Sequence, residues 1–127
     1  MNVVLVLAAL FAAQPVVTTP VQPSAITAAD FLSRAQALIQ SGRASGESPE
    51  LDVLRGKISL AGRLVRTQQR EDRQAGRPAT YCIPESAAAD AVELLGFLTS
   101  IPAEQRNMPF PEAFSRYVRS KYPCSAR

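Results

Sequence analysis

From residue 28 onward the apolar positions return every three or four residues, the repeat of one helical face, and nowhere alternate as a half-buried strand would. Thr27-Ala-Ala-Asp30 has the form of a capping box, with a hydroxyl suited to the third helical amide and a carboxylate able to reach back. Behind it, Ala28, Phe31, Leu32, Ala35, Leu38 and Ile39 share one face, and Gly42 is a natural stop. A polar connection leads to Ser48-Pro49-Glu50: a capping hydroxyl, a proline where its missing N–H costs nothing, and a carboxylate in the first turn. The second helix then carries Leu51, Leu54, Ile58, Ala61 and Val65 as its inner stripe. It is expected to run to Gln74 or Ala75 and end at Gly76, a length of about 40 Å at ~1.5 Å per residue.

That length exceeds what a core of this size covers. The last two turns, residues 68–74, contain no apolar side chain, so they are expected either to project into water or to meet a partner. Gly56 and Gly62 inside the helix each cost up to about 1 kcal/mol relative to alanine, a cost that close helix approach would offset. A loop over residues 76–80 precedes Tyr81-Cys82-Ile83-Pro84-Glu85, which reads as the opening of a third helix with Pro84 near its first position. Ala88, Ala91, Val92, Leu94, Leu95, Phe97, Leu98 and Ile101 wrap so broadly that this helix is expected to be the most buried element, and Pro102 ends it. Pro111 opens a short fourth helix with Ala113, Phe114, Tyr117 and Val118 facing inward, and Pro123 stops it before Cys124. The expectation is an all-α fold, a single small bundle of about four helices with one disulfide.

Composition narrows the chemistry. The chain has 127 residues, no histidine and two cysteines, which removes Ser-His-Asp and Cys-His catalysis, imidazole ligands and a self-sufficient zinc site. Charge is unevenly placed: no side chain before Asp30 is ionisable. Residues 3–13 are continuously apolar, too short for a bilayer span of about 20 residues but right for the core of a secretory signal peptide. No Lys or Arg precedes that core and no clean small-x-small cleavage site follows it; the alternative is a retained hydrophobic helix or short anchor. We read residues 1–25 as a signal peptide with a Pro-rich leader and residues 26–127 as the mature domain, delivered to the periplasm without stable membrane insertion. In an oxidising compartment the two cysteines have one possible pairing, Cys82 with Cys124, and a loop of that length stabilises by about 4 kcal/mol in the chain-entropy model. In a reducing compartment they would remain two thiols. The bridge is expected to tie the start of the third helix to the end of the fourth, with Tyr81 and Tyr122 packed around it.

Two stretches stand out as candidate contact surfaces. Arg63, Arg66, Arg70, Arg73 and Arg77 recur at three and four residues, forming a stripe roughly opposite the Leu51-Ile58-Val65 face. The plain reading is a solvated face relieved by Glu71 and Asp72; the functional one is an electrostatic patch for an acidic partner surface, with lipid or cell-wall phosphates as a further option. Nucleic acid fits neither export nor the lack of interleaved aromatics. The loop 102–111, with Gln105, Arg106 and Asn107 beside Met108 and Phe110, is either a segment that inserts into a partner cleft or an ordinary connection. Glu85, Asp90 and Glu93 sit where a helix N-terminus favours negative charge, and Cys82 has no histidine to activate it, so neither reads as catalytic.

The segment 81–124 also has a recognisable shape: an aromatic before Cys82-Ile83-Pro84-Glu85, a helix, a Pro-containing break, a second amphipathic helix and a closing Tyr122-Pro123-Cys124. It resembles the Tai or Rap family, small exported all-helical immunity proteins that protect bacteria against type VI secretion amidase effectors. Upstream, Phe31-Leu32-Ser33-Arg34-Ala35 looks like the family's first helix, with Ala35 where a cysteine often stands, and the Gly56–Gly62 region looks like its glycine-bearing second helix. The family's additional cysteine pair is absent, and Lys57 follows Gly56 where an aromatic pattern is usual. What the resemblance implies is a non-enzyme without cofactor or metal that binds a peptidoglycan amidase in the periplasm and occludes its active-site cleft, often as a homodimer. The alternative is an exported structural or adaptor protein of the envelope that shares the fold without a toxin partner.

Overall fold

The computed structural model describes residues 26–125; the signal peptide and leader expected over residues 1–25 lie outside them. Four α-helices follow in order, α1 (Ala28–Gln40), α2 (Pro49–Gln74), α3 (Ala91–Ser100) and α4 (Phe110–Lys121), with a single 3₁₀ turn at Ala103–Gln105. No strand occurs among the described residues, so the all-α expectation holds. No helix there is long and apolar enough to cross a membrane.

The helix starts obey local chemistry. Thr27 Oγ1 accepts from the Asp30 amide at 3.0 Å, and Ser48 Oγ accepts from Leu51 N at 3.4 Å with Pro49 in the first turn of α2. The first amides of α1 also find tertiary acceptors: Ala28 N donates to Met108 O and Ala29 N to Arg106 O, both at 2.9 Å. Phe110 N in turn donates to Ile26 O at 2.7 Å, so the entry to α1 and the entry to α4 are laced together by backbone. Gly42 and Gly76 follow the ends of α1 and α2 with φ of 72° and 66°, the left-handed conformation that glycine adopts without a Cβ clash.

The core runs along α1, α4 and the inner face of α2. Phe31 stacks on Phe110 with ring centroids 4.1 Å apart, and Phe114 and Tyr117 continue the aromatic row along α4 at 6.0 and 5.8 Å. Ala28, Phe31, Leu32, Ala35 and Leu38 are buried from α1, as are Leu54, Ala61 and Val65 from α2. The two outer helices, α2 and α3, each pack on α1 and α4 rather than closely on one another.

Four expectations are corrected. The third helix begins at Ala91, not Pro84: Asp90 caps it by accepting from Glu93 N at 3.0 Å, while residues 84–87 form a turn closed by Ala87 N donating to Pro84 O. A local reading of Pro84-Glu85 could not see that the Pro84 and Ala87 carbonyls are claimed by a side chain of α2. The third helix is also not the most buried element, since it buries only Leu94 and Leu98 and leaves Val92 81% exposed, whereas α1 and α4 bury five residues each. The bridge Cys82–Cys124, with Cα atoms 5.0 Å apart, therefore ties the loop ahead of α3, not α3 itself, to the segment after α4. Finally, a Cβ placed on Gly56 or Gly62 meets nothing within 4 Å, so close helix approach does not account for either glycine.

Candidate partner interface on the second helix

Only one side of the apolar-free end of α2 is covered: the chain's own loop, residues 77–84, buries Gln69 and Asp72, while Gln68, Arg70, Glu71, Arg73 and Gln74 stay exposed. Gln69 is only 7% exposed; its Oε1 accepts from Ile83 N at 2.8 Å and its Nε2 donates to Ile83 O at 3.4 Å, so one amide side chain satisfies both polar groups of a buried backbone unit. One turn on, the buried Asp72 carboxylate accepts from Gln68 Nε2 at 2.9 Å, Arg77 Nε at 3.2 Å, Thr80 Oγ1 at 3.1 Å and Thr80 N at 3.3 Å. The Gln68 hydrogen bond foremost, with those from Thr80 and Arg77, holds its carboxyl below the usual carboxylate range. Polar residues thus do here what aliphatic ones do in the rest of α2. No buried side-chain polar atom among the described residues lacks a partner.

This recognition splits the arginine stripe. Arg66 is half-buried and donates to Ala87 O at 2.7 Å and more weakly to Pro84 O at 3.5 Å, which fixes the turn ahead of α3. Arg77 lies beyond the end of α2 and neutralises Asp72. Arg63, Arg70 and Arg73 remain exposed on α2 with no hydrogen bond or ion pair to the described residues. The same helix also presents Leu60 and Leu64, 47% and 51% exposed, with Leu60 one turn before Arg63 and Val53 two turns before Leu60. The inner stripe does not reveal these exposed leucines; their signal in the sequence is the second repeat Val53-Leu60-Leu64 on the outer face.

The loop 102–111, which the sequence leaves open as an inserting segment or an ordinary connection, packs several of its residues into the fold. Met108 and Phe110 belong to the core, and Arg106 donates to Ile101 O at 2.8 Å and Thr99 O at 2.7 Å, satisfying carbonyls at the end of α3. Gln105 is exposed, at the end of the 3₁₀ turn. Of the residues singled out in the sequence, the structure groups Arg63, Arg70 and Arg73 on one accessible helix, and assigns Arg66, Arg77, Arg106 and Met108 to internal contacts.

Two further clusters tie the bundle together. Arg34 on α1 makes a bidentate pair with Glu50 on α2, Nη2 to Oε2 at 2.9 Å, and that hydrogen bond lowers the Glu50 carboxyl and raises the guanidinium. On the other side, Glu93 of α3 accepts from Tyr117 Oη at 3.2 Å and pairs with Lys121 Nζ of α4. Burial raises the Tyr117 phenol above its ordinary value, and the hydrogen bond to Glu93 raises the Lys121 ammonium. Tyr81 Oη shares a hydrogen bond with Ser115 Oγ, and Cys82 N donates to Tyr122 O at 3.1 Å beside the disulfide. Among the described residues no three acidic, cysteine or histidine side chains are grouped to hold a metal ion. No protein-family model, no curated protein and no solved structure matches this chain.

Proposed function

We propose that this chain is a periplasmic immunity protein that binds a type VI secretion peptidoglycan amidase effector and occludes its active-site cleft without catalysing a reaction. The observation that carries the reading is the Cys82–Cys124 bridge closing an all-helical bundle at the two ends of the segment that resembles the Tai or Rap family. A bridge of this kind persists in an oxidising compartment, and a bundle fixed by it binds with little ordering cost. Arg63 beside Leu60, with Leu64, Arg70 and Arg73 exposed further along α2, gives this helix cationic and apolar positions suited to a protein partner with acidic rims around an apolar cleft. Glu71, which follows this surface along α2, suits a protein better than an anionic bilayer, which would repel it.

The test is co-expression with a candidate amidase effector from a neighbouring gene, directed to the periplasm, scoring lysis. Rescue of growth together with a complex that survives gel filtration is the expected result. Continued lysis with no complex overturns the reading.

A further inference from the structure

Because α2 and α3 pack on α1 and α4 and not closely on one another, a furrow is left between them. It holds a cavity of about 340 Å³. Phe31, Ala35, Leu54 and Leu94, all buried, line it together with the half-buried Leu95. At the rim stand Ile39 from the end of α1 and Val92 from the first turn of α3, 54% and 81% exposed, aliphatic side chains that the fold leaves in water on both sides of one apolar opening.

A single charged side chain lines this furrow. Arg55 of α2 reaches it, and no carboxylate does. Its guanidinium lies 3.9 Å from Asp52 Oδ1, a loose, largely solvated pair, and makes no closer polar contact with the described residues. A concave, preformed apolar site of several hundred Å³ with one or a few polar groups at its edge is the ordinary form of a small-molecule site, in which the apolar wall supplies affinity and the polar group sets orientation. The residues of α2 that line it, Leu51, Leu54, Arg55 and Ile58, lie in the first half of the helix, ahead of Arg63, Arg70 and Arg73, so this site is set apart along α2 from the partner surface proposed above.

We propose that the α1–α2–α3 furrow binds a single-chain anionic amphiphile, a free acyl carboxylate, with its hydrocarbon chain along Phe31, Leu54 and Leu94 and its carboxylate against Arg55. The charge sign follows from the lining: Arg55 is its one charged side chain, and Asp52, which pairs loosely with it, is not among the lining residues, so a negative headgroup is favoured over a positive one while the aliphatic and aromatic remainder takes a hydrocarbon chain. An acyl chain in the furrow also removes Ile39 and Val92 from water, which is the favourable transfer that the free fold forgoes.

The experiment titrates the full mature chain with dodecanoate and, separately, with dodecyltrimethylammonium, both below micelle formation, reading methyl NMR shifts of Ala35, Leu54, Leu94 and Leu95. Dodecanoate is expected to give saturable shifts confined to these methyls and to bind more tightly than the cation. Arg55→Gln is expected to weaken dodecanoate about two- to fivefold, and Arg55→Glu to reverse the preference toward the cation. Ile39→Asp, at an exposed position that tolerates polarity, is expected to weaken both ligands. Equal binding of the two amphiphiles that Arg55→Glu leaves unchanged, absence of saturable shifts, or association only with phosphatidylglycerol vesicles each overturns the proposal.

Discussion

Replacing Gln69 by alanine tests the least expected feature of this fold, the burial of a polar helix end under a loop. The side chain closes a two-point hydrogen bond with the backbone of Ile83, and both sites are buried. Truncation leaves the Ile83 amide without an acceptor and its carbonyl without this donor. A buried donor stripped of its partner costs about 1–3 kcal/mol, so Gln69→Ala is expected to lower the unfolding free energy by about 2 kcal/mol. In a domain of this size that corresponds to a fall in Tm of roughly 8–16 °C. Urea denaturation of the oxidised protein, with Gln74→Ala on the exposed end of the same helix as control, measures it; the control is expected to change stability by less than about 0.5 kcal/mol. Hydrogen exchange adds a local readout, with the Ile83 amide losing protection in Gln69→Ala. If the two substitutions cost the same and the Ile83 amide stays protected, the loop is held by the disulfide alone and the account of the α2 end is wrong.

Three other outcomes follow from the same geometry. Gly56→Ala and Gly62→Ala are each expected to raise stability by up to about 1 kcal/mol, because both positions are helical with open space where the Cβ would stand, and calorimetry that shows destabilisation would point to a contact absent here. The Asp72 carboxyl titrates below its ordinary value in the folded state, so its contribution is present above the unfolded carboxylate pKa near ~4 and is lost as pH falls through the lower folded value; Asp72→Asn is expected to flatten the stability profile in that acid range, read by denaturation between about pH 5 and 2. Alkylation of the unreduced mature protein is expected to leave its mass unchanged, and reduction to cost up to about 4 kcal/mol; two modified thiols before reduction would refute the Cys82–Cys124 pairing.

Much of this architecture was legible in the chain because the helix ends are written in local chemistry. Thr27, Ser48-Pro49, Gly42 and Gly76 mark boundaries that the structure keeps, and the buried faces of α1, α2 and α4 follow from spacing, except that Ile39, expected on the inner face of α1, is left 54% exposed where that helix ends. Two of the failures share one cause, side chains that bind backbone far away in sequence. Pro84-Glu85 has the composition of a helix start, yet Arg66 draws the Pro84 and Ala87 carbonyls into a turn and Asp90 becomes the cap. Residues 68–74 lack apolar side chains, yet Gln69 and Asp72 bury themselves by matching the loop's amides and hydroxyl. Met108 was legible as apolar but not as core, because its place depends on the backbone lacing between α1 and the segment before α4. The arginine stripe was correct as a spacing and incomplete as a surface: periodicity placed five arginines, and only tertiary contacts divide them into two that hold the fold and three that face solvent.

That division directs the most direct test of the proposed role. The purified mature protein, titrated calorimetrically with a candidate amidase effector from a neighbouring gene, is expected to bind saturably and to suppress its peptidoglycan hydrolysis. The triple reversal Arg63→Glu, Arg70→Glu, Arg73→Glu is expected to keep the melting profile and lose that binding. Absence of binding by the unaltered protein, or full inhibition by the triple variant, would contradict the account.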